Sequence, residues 1–271
     1  MLTHPNFNPV ALDLGFFKIH WYGLMYVLAY LQALFLGRYL IKQNQAPLNH
    51  QQFDDLLFYA FIGIILGGRL GEVLFYNPIY YFHQPFEIIK IWQGGMSFHG
   101  GFLGVLFAVS IFVYQNKMAW LKLTDFIAPL VPLGLMFGRL GNFINGELWG
   151  RITNANLPWA MVFPQSGSLL PRHPSQIYHM LLEGALLFCL LWFYKPKQQG
   201  KISAIFLIGY GCCRFITEFF REPDDGIFGK SYFISMGQWL SLPMILIGFI
   251  LFSYCHFQKK SSFTVENNKK L

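Results

Sequence analysis

Long apolar runs, broken at intervals by short polar stretches, fill the chain from end to end. Seven of them approach the roughly 20 residues that a membrane-spanning helix needs. They lie near Trp21–Leu40, Asp54–Tyr76, Phe98–Gln115, Asp125–Asn142, Ser175–Tyr194, Ile202–Phe220 and Phe233–Tyr254. The third is short, and Pro129 and Pro132 interrupt the fourth. Proline is tolerated in such a helix where neighbours satisfy the freed backbone groups. The pattern predicts an all-α polytopic membrane protein of about seven transmembrane helices. It forms one integral membrane domain over residues 1–271, with no linker between domains.

Composition agrees with the pattern. Only 12 % of residues are charged and 19 % are aromatic, whereas soluble domains carry roughly 25 % charged residues. Met1 to Phe17 lacks the basic start, apolar run and small-residue cleavage site of a secretory signal. The first apolar helix is therefore expected to remain as an uncleaved anchor. Cys189, Cys212, Cys213 and Cys255 form no CxxC pair and lie in or beside apolar runs. They read as small buried hydrophobes rather than as a disulfide framework or a zinc site.

Loop charges predict the orientation. One set of connections and the tail hold Arg38, Lys42, Lys117, Lys122, Lys195, Lys197, Lys201, Lys259, Lys260, Lys269 and Lys270 with almost no acid. The other set holds Lys18, Lys90, Arg151, Arg172, Arg221 and Lys230, interleaved with Asp13, Glu87, Glu147, Glu222, Asp224 and Asp225. The first set is expected on the cytoplasmic side, with the amino terminus outside and the carboxyl terminus inside. The net charge of +7 then reads as a topology signal with some attraction for anionic lipid, not as a nucleic-acid surface.

Span parity gathers the polar residues. Tyr22, His99 and the trio His173, Gln176 and Tyr178 begin odd runs, as does Gln238. The pairs Arg69 with Glu72 and Arg139 with Asn142 end even runs, as do Arg214, Glu218 and Arg221. All are expected in the outer half of one bundle. An isolated arginine at a helix centre costs about 2.5–3.5 kcal/mol on insertion scales, so such placements mark working sites. In the sixth run Tyr210, Arg214, Glu218 and Arg221 share one helical face. Arg214 and Glu218 read either as a structural ion pair or as a carboxylate orienting a guanidinium toward phosphate, and both can hold.

Two short segments echo each other, Gly68-Arg69-Leu70-Gly71 and Gly138-Arg139-Leu140-Gly141. Glycines four apart read as helix-packing devices rather than phosphate loops. His99 is flanked by the pairs Gly94-Gly95 and Gly100-Gly101, which permit close backbone approach to a ligand. Of Tyr22, Tyr26 and Tyr30, only Tyr22 is positioned to join the polar cluster.

These motifs together resemble the bacterial prolipoprotein diacylglyceryl transferase family over nearly the whole chain. The matching segments are Trp21-Tyr22-Gly23-Leu24-Met25-Tyr26, Met96-Ser97-Phe98-His99-Gly100-Gly101 and Gly138 to Glu147, then His173-Pro174-Ser175-Gln176-Ile177-Tyr178, Arg214 to Arg221 and Ser235-Met236-Gly237-Gln238. The resemblance implies seven membrane helices with a small external head between Gly146 and Arg172, in the bacterial inner membrane. It implies transfer of a diacylglyceryl group from phosphatidylglycerol to the lipobox cysteine of a prolipoprotein, with glycerol phosphate released. It also implies essential roles for Tyr22, His99, Arg139, Asn142, Gly150, Arg214 and Glu218, implicates Tyr210 and Arg221, and makes Arg139 the phosphatidylglycerol-binding arginine.

The residues themselves suit that chemistry. Arg139 and Arg214 can stabilise charge growing on a departing phosphate in a site with little water. The nucleophile must be a thiolate, and a free thiol has a pKa near 8.5. Either His99 acts as the base, or an arginine lowers the thiol pKa and His99 orients the lipid. Asn142, Asn145 and Glu147 can bind the headgroup glycerol or brace the arginines. No cofactor or metal is expected. A covalent route through Cys212 or Cys213 is the weaker reading, since nothing local lowers their pKa. A transporter would need a matching charged set on the cytoplasmic side. A passive lipid-binding scaffold would leave His99 without a task.

Overall fold

The computed structural model describes residues 2–15, 18–91, 94–196, 198–223 and 233–268. Of the charges used for orientation, Lys197, Asp224, Asp225, Lys230, Lys269 and Lys270 lie outside the described residues, as do the side chains of Lys259 and Lys260. The chain is mostly helical and divides into two compact units: Met1–Gly37 with Thr124–Leu271, and Arg38–Leu123.

Five helical stretches are long and apolar enough to cross a membrane: Trp21–Lys42, His50–Tyr76, Trp120–Asn145, Ser175–Phe193 and Met236–Phe257. Between 17 % and 33 % of each apolar stretch is buried inside the protein. The remaining apolar surface suits a lipid surrounding. The predicted third and sixth spans are helices of 18 and 17 residues (Phe98–Gln115 and Lys201–Thr217). At 1.5 Å per residue these reach only about 26–27 Å, short of a ~30 Å hydrocarbon core.

The helix α1 (Trp21–Lys42), which lies in the first unit up to Gly37, follows two short strands, β2 (Val10–Asp13) and β3 (Lys18–His20), paired antiparallel. The predicted fourth span is α5 (Trp120–Ile127), a 3₁₀ turn at Ala128–Leu130 and α6 (Val131–Asn145). Pro129 and Pro132 fall at that break, where the Leu130 carbonyl accepts from Gln32 Nε2 of α1 at 2.9 Å. The fifth span is α7 (Ser175–His179), a π-helical turn (Met180–Leu186) and α8 (Leu187–Phe193). Asp125 caps the start of α9 (Lys201–Thr217), accepting from the backbone N–H groups of Gly200 (2.5 Å) and Ser203 (2.8 Å). A carboxylate is favoured there by the helix dipole. α10 (Met236–Asn268) closes the chain.

Short strands also appear where apolar periodicity gave no signal. β1 (Leu2–Thr3) pairs parallel with β4 (Met161–Val162), which pairs antiparallel with β5 (Pro171–Arg172). The α6–α7 connection is thus a small β structure tied to the N-terminal strand. His4 is buried against it and donates from Nε2 to the Phe143 carbonyl at 2.6 Å. Burial holds its pKa below the ordinary histidine value, and the Phe143 bond opposes that shift.

In the second unit, α2 (His50–Gly71) starts with a capping box. Asn49 accepts from Gln52 N, and the Gln52 side chain accepts from Asn49 N. It packs on α4 (Phe98–Gln115) through glycine. A Cβ at Gly63 would stand 2.6 Å from the Gly104 carbonyl, and one at Gly71 2.8 Å from the Gly100 Cα. These glycines are packing devices, as the sequence suggested. The short α3 (Pro78–His83) lies between the two helices in sequence.

Candidate active site

α6 ends at Gly146, whose φ of +66° suits glycine, and the chain turns back along the helix end. The Glu147 carboxylate accepts from Asn145 Nδ2 (2.9 Å) and Asn142 Nδ2 (3.4 Å). The Glu147 carbonyl accepts from Gln176 Nε2 (2.5 Å), and the Leu148 carbonyl accepts from Ser175 Oγ (2.9 Å), both at the start of α7. Gly150 N donates to the His173 carbonyl (2.9 Å), and Arg151 N donates to the Phe220 carbonyl (2.9 Å) beyond α9. Tyr22 brings α1 to the same place: a Cβ on Gly141 would stand 2.8 Å from its ring. The Ser235 hydroxyl, just before α10, donates to Glu218 at 2.7 Å. The starts of α1, α7 and α10 and the ends of α6 and α9 therefore meet, as parity required within this unit.

A row of alternating charges runs through this meeting point. Arg221 pairs with Glu218 (3.1 Å), and Glu218 pairs with Arg214 (2.6 Å). Arg214 lies 3.8 Å from Glu183, and Glu183 lies 4.0 Å from Arg139. Both carboxylates are 1 % exposed, which without cationic partners would be prohibitive. Arg214 and Glu218 are thus an ion pair, and the row extends that pair toward Arg139. Tyr210, one turn before Arg214, stacks on Phe206 at 5.9 Å between ring centroids. His173 bonds through Nδ1 to the Tyr178 hydroxyl (3.0 Å), and burial lowers its pKa.

The two echoed arginines have opposite fates. Arg69 donates to five backbone carbonyls, those of Ile88, Gly94, Gly95, Glu87 and Lys90. It also lies 5.0 Å over the Tyr81 ring. All five of its donors hold a loop, so it is a structural residue of the second unit. Arg139 donates no hydrogen bond among the described residues, and its nearest carboxylate is the 4.0 Å contact to Glu183. Its planar donor fork is available for an anion.

Arg69, Glu72 and His99 belong to the second unit, with His99 exposed in the first turn of α4. Glu72 accepts from Asn77 Nδ2 at 2.9 Å. One member of the charge row, Glu183, and its partner His179 escaped sequence reasoning. His179 bonds to Glu183 through Nδ1 at 2.6 Å, and Thr217 Oγ1 donates to the same carboxylate oxygen at 3.2 Å. The available signal was a histidine and a glutamate four apart inside an apolar run.

The sequence profile described as prolipoprotein diacylglyceryl transferase matches residues 9–254. The chain belongs to the prolipoprotein diacylglyceryl transferase family. It is 60 % identical over 265 residues to the phosphatidylglycerol–prolipoprotein diacylglyceryl transferase of Dechloromonas aromatica, covering 96 % of this chain and 100 % of that protein. It is 56 % identical over 274 residues to the protein of that name from Chromobacterium violaceum, covering 93 % and 96 % of the two chains. A third, from Bordetella avium, is 57 % identical over 255 residues, with the same coverage. All six motifs of the prolipoprotein diacylglyceryl transferase resemblance fall inside the matched range. Those carried by Tyr22, Arg139, Asn142, Arg214 and Glu218 converge in the first unit.

Proposed function

We propose that this chain is an inner-membrane transferase that moves the diacylglyceryl group of phosphatidylglycerol onto the lipobox cysteine of a prolipoprotein, the first step of lipoprotein lipidation. The thiolate sulfur attacks the glyceryl carbon bonded to the phosphodiester oxygen. A C–S bond forms as the C–O bond breaks. The bonding pair leaves on glycerol phosphate, and the thiol proton passes to a base.

The observation that carries this reading is Arg139, a guanidinium without a hydrogen-bond partner among the described residues, joined through Glu183 to Arg214. Such a pair, withdrawn from water, holds a phosphodiester and stabilises the charge that grows on it. Arg214 is oriented by Glu218, which Arg221 braces. Asn142, Asn145 and Glu147 bind the headgroup glycerol, and Tyr22, Tyr210 and Gly150 shape the site. His99 is the candidate base. Replacing it with glutamine is expected to lower the rate at least tenfold at neutral pH, measured as thioether formed per minute, and a near-normal rate removes it from the chemistry.

In this reading α4 and α9 also cross the bilayer, which makes seven crossings with the amino terminus outside and the carboxyl terminus in the cytoplasm. The segment 146–172 forms an external head over a site in the outer leaflet, within a single domain. The test is purified protein in phosphatidylglycerol vesicles with a lipobox peptide. Thioether-linked diacylglyceryl peptide, identified by mass, supports the reading, and bound lipid without product refutes it. Cys212→Ala with Cys213→Ala is expected to leave that rate within twofold. Complete loss would favour a lipidated enzyme intermediate instead.

A further inference from the structure

We propose that Glu183 is a positioning residue that spaces Arg139 from Arg214 and offsets their positive charge, so that a phosphodiester is held and a phosphate monoester is let go. The inference rests on the transfer reaction proposed above. Glu183 is 1 % exposed and sits between the two arginines, with Oε1 3.8 Å from Arg214 and Oε2 4.0 Å from Arg139. These distances exceed those of a direct hydrogen bond. The carboxylate therefore attracts both guanidiniums without occupying their donor forks.

Glu183 is itself held firmly. His179 Nδ1–H donates to it at 2.6 Å and Thr217 Oγ1 at 3.2 Å. It lies in the π-helical turn Met180–Leu186, a feature that recurs at functional sites. Its neighbour Gly184 lets that turn close on α6: a Cβ there would stand 2.6 Å from the Met136 Cβ. Met136 precedes Arg139 by three residues on α6, so this contact brings the carboxylate to the arginine.

Among the described residues, linked ion pairs join Arg139, Arg214 and Arg221 to Glu183 and Glu218. Glu183 is the carboxylate between Arg139 and Arg214, and it offsets one unit of their charge. A phosphodiester brings one negative charge to these arginines. The product is a phosphate monoester, which carries about −1.5 to −2 at pH 7. In a site of low dielectric the Glu183 carboxylate repels it more than it repels the substrate, which favours its departure. Without the Glu183 charge the site gains one unit of positive charge and holds the product more tightly.

The experiment compares the wild-type protein, Glu183→Asp and Glu183→Gln in phosphatidylglycerol vesicles with a lipobox peptide and added glycerol phosphate. Absence of thioether from the wild-type protein refutes the transfer reading itself. Given wild-type turnover, Glu183→Gln is expected to form about one thioether per enzyme in a burst. Its steady rate then falls at least tenfold, and its inhibition constant for glycerol phosphate drops at least tenfold. Glu183→Asp, with its carboxylate drawn back from both arginines, is expected to drop that constant at least threefold. A merely structural role would weaken anion binding, the opposite sign. An inhibition constant equal to or above wild type in Glu183→Gln overturns the proposal. Should that variant fail to fold, the same result in Glu183→Asp overturns it.

Discussion

Arg139→Ala is expected to lower diacylglyceryl transfer by about a thousandfold or more while the protein still inserts and folds. Removing one preorganised donor to a developing oxyanion costs roughly 10²–10³ in rate. Here the side chain lost is a whole guanidinium that donates no hydrogen bond among the described residues. No hydrogen bond among the described residues is lost with it, so its removal takes away substrate and leaving-group stabilisation without opening a hydrogen-bonded network. Glu183 keeps His179, Thr217 and Arg214 when Arg139 is gone. Initial thioether rates in phosphatidylglycerol vesicles, with the membrane fraction and melting temperature as controls, check it. A rate within tenfold of wild type would remove Arg139 from the reaction. Arg69→Ala is the contrast: five backbone carbonyls lose their donor, so melting temperature and activity are expected to fall together.

Gly150→Ala is expected to cost at least a hundredfold in rate through geometry alone. A Cβ at this position would strike the His173 carbonyl, lie 2.5 Å from the Phe220 carbonyl and 2.7 Å from the His173 Cβ. Two of these are backbone atoms and cannot rotate away. Gly150 also bridges Arg221 antiparallel and donates to the His173 carbonyl. The added methyl therefore pushes apart the entry to α7 and the exit of α9. Overpacking of this kind costs about 1–3 kcal/mol, and the displacement falls on Arg221, which braces Glu218. The expected result is a lower melting temperature together with lost transfer. Wild-type turnover in Gly150→Ala would show that the junction has room to give.

Much of the site was legible in the chain because a membrane makes polar residues conspicuous. Alternation of spans gathered Tyr22, Arg139, Asn142, Gln176, Arg214, Glu218 and Gln238 in one layer of the bundle, and within the first unit their contacts bring them together. Spacings of four and three put Arg214, Glu218 and Arg221 on one helical face, and the structure joins them as ion pairs. His179 directly follows Tyr178 at a span start, and Glu183 lies one turn deeper in the apolar run; only their spacing of four hinted that they would pair. The strands near the amino terminus left no periodic signal, since two to four residues are too few to alternate.

Apolar run length and the parity of their ends follow from sequence alone, because a lipid environment forces backbone groups into helices and drives charge to helix ends. What sequence could not assign was the use of each arginine. Gly68-Arg69-Leu70-Gly71 and Gly138-Arg139-Leu140-Gly141 read alike, yet the first guanidinium is saturated by loop carbonyls and the second donates to none of the described residues. That difference depends on which segments fold back within about 3 Å of the donors. Hydrogen bonds act at that range, and only the tertiary structure decides what lies there.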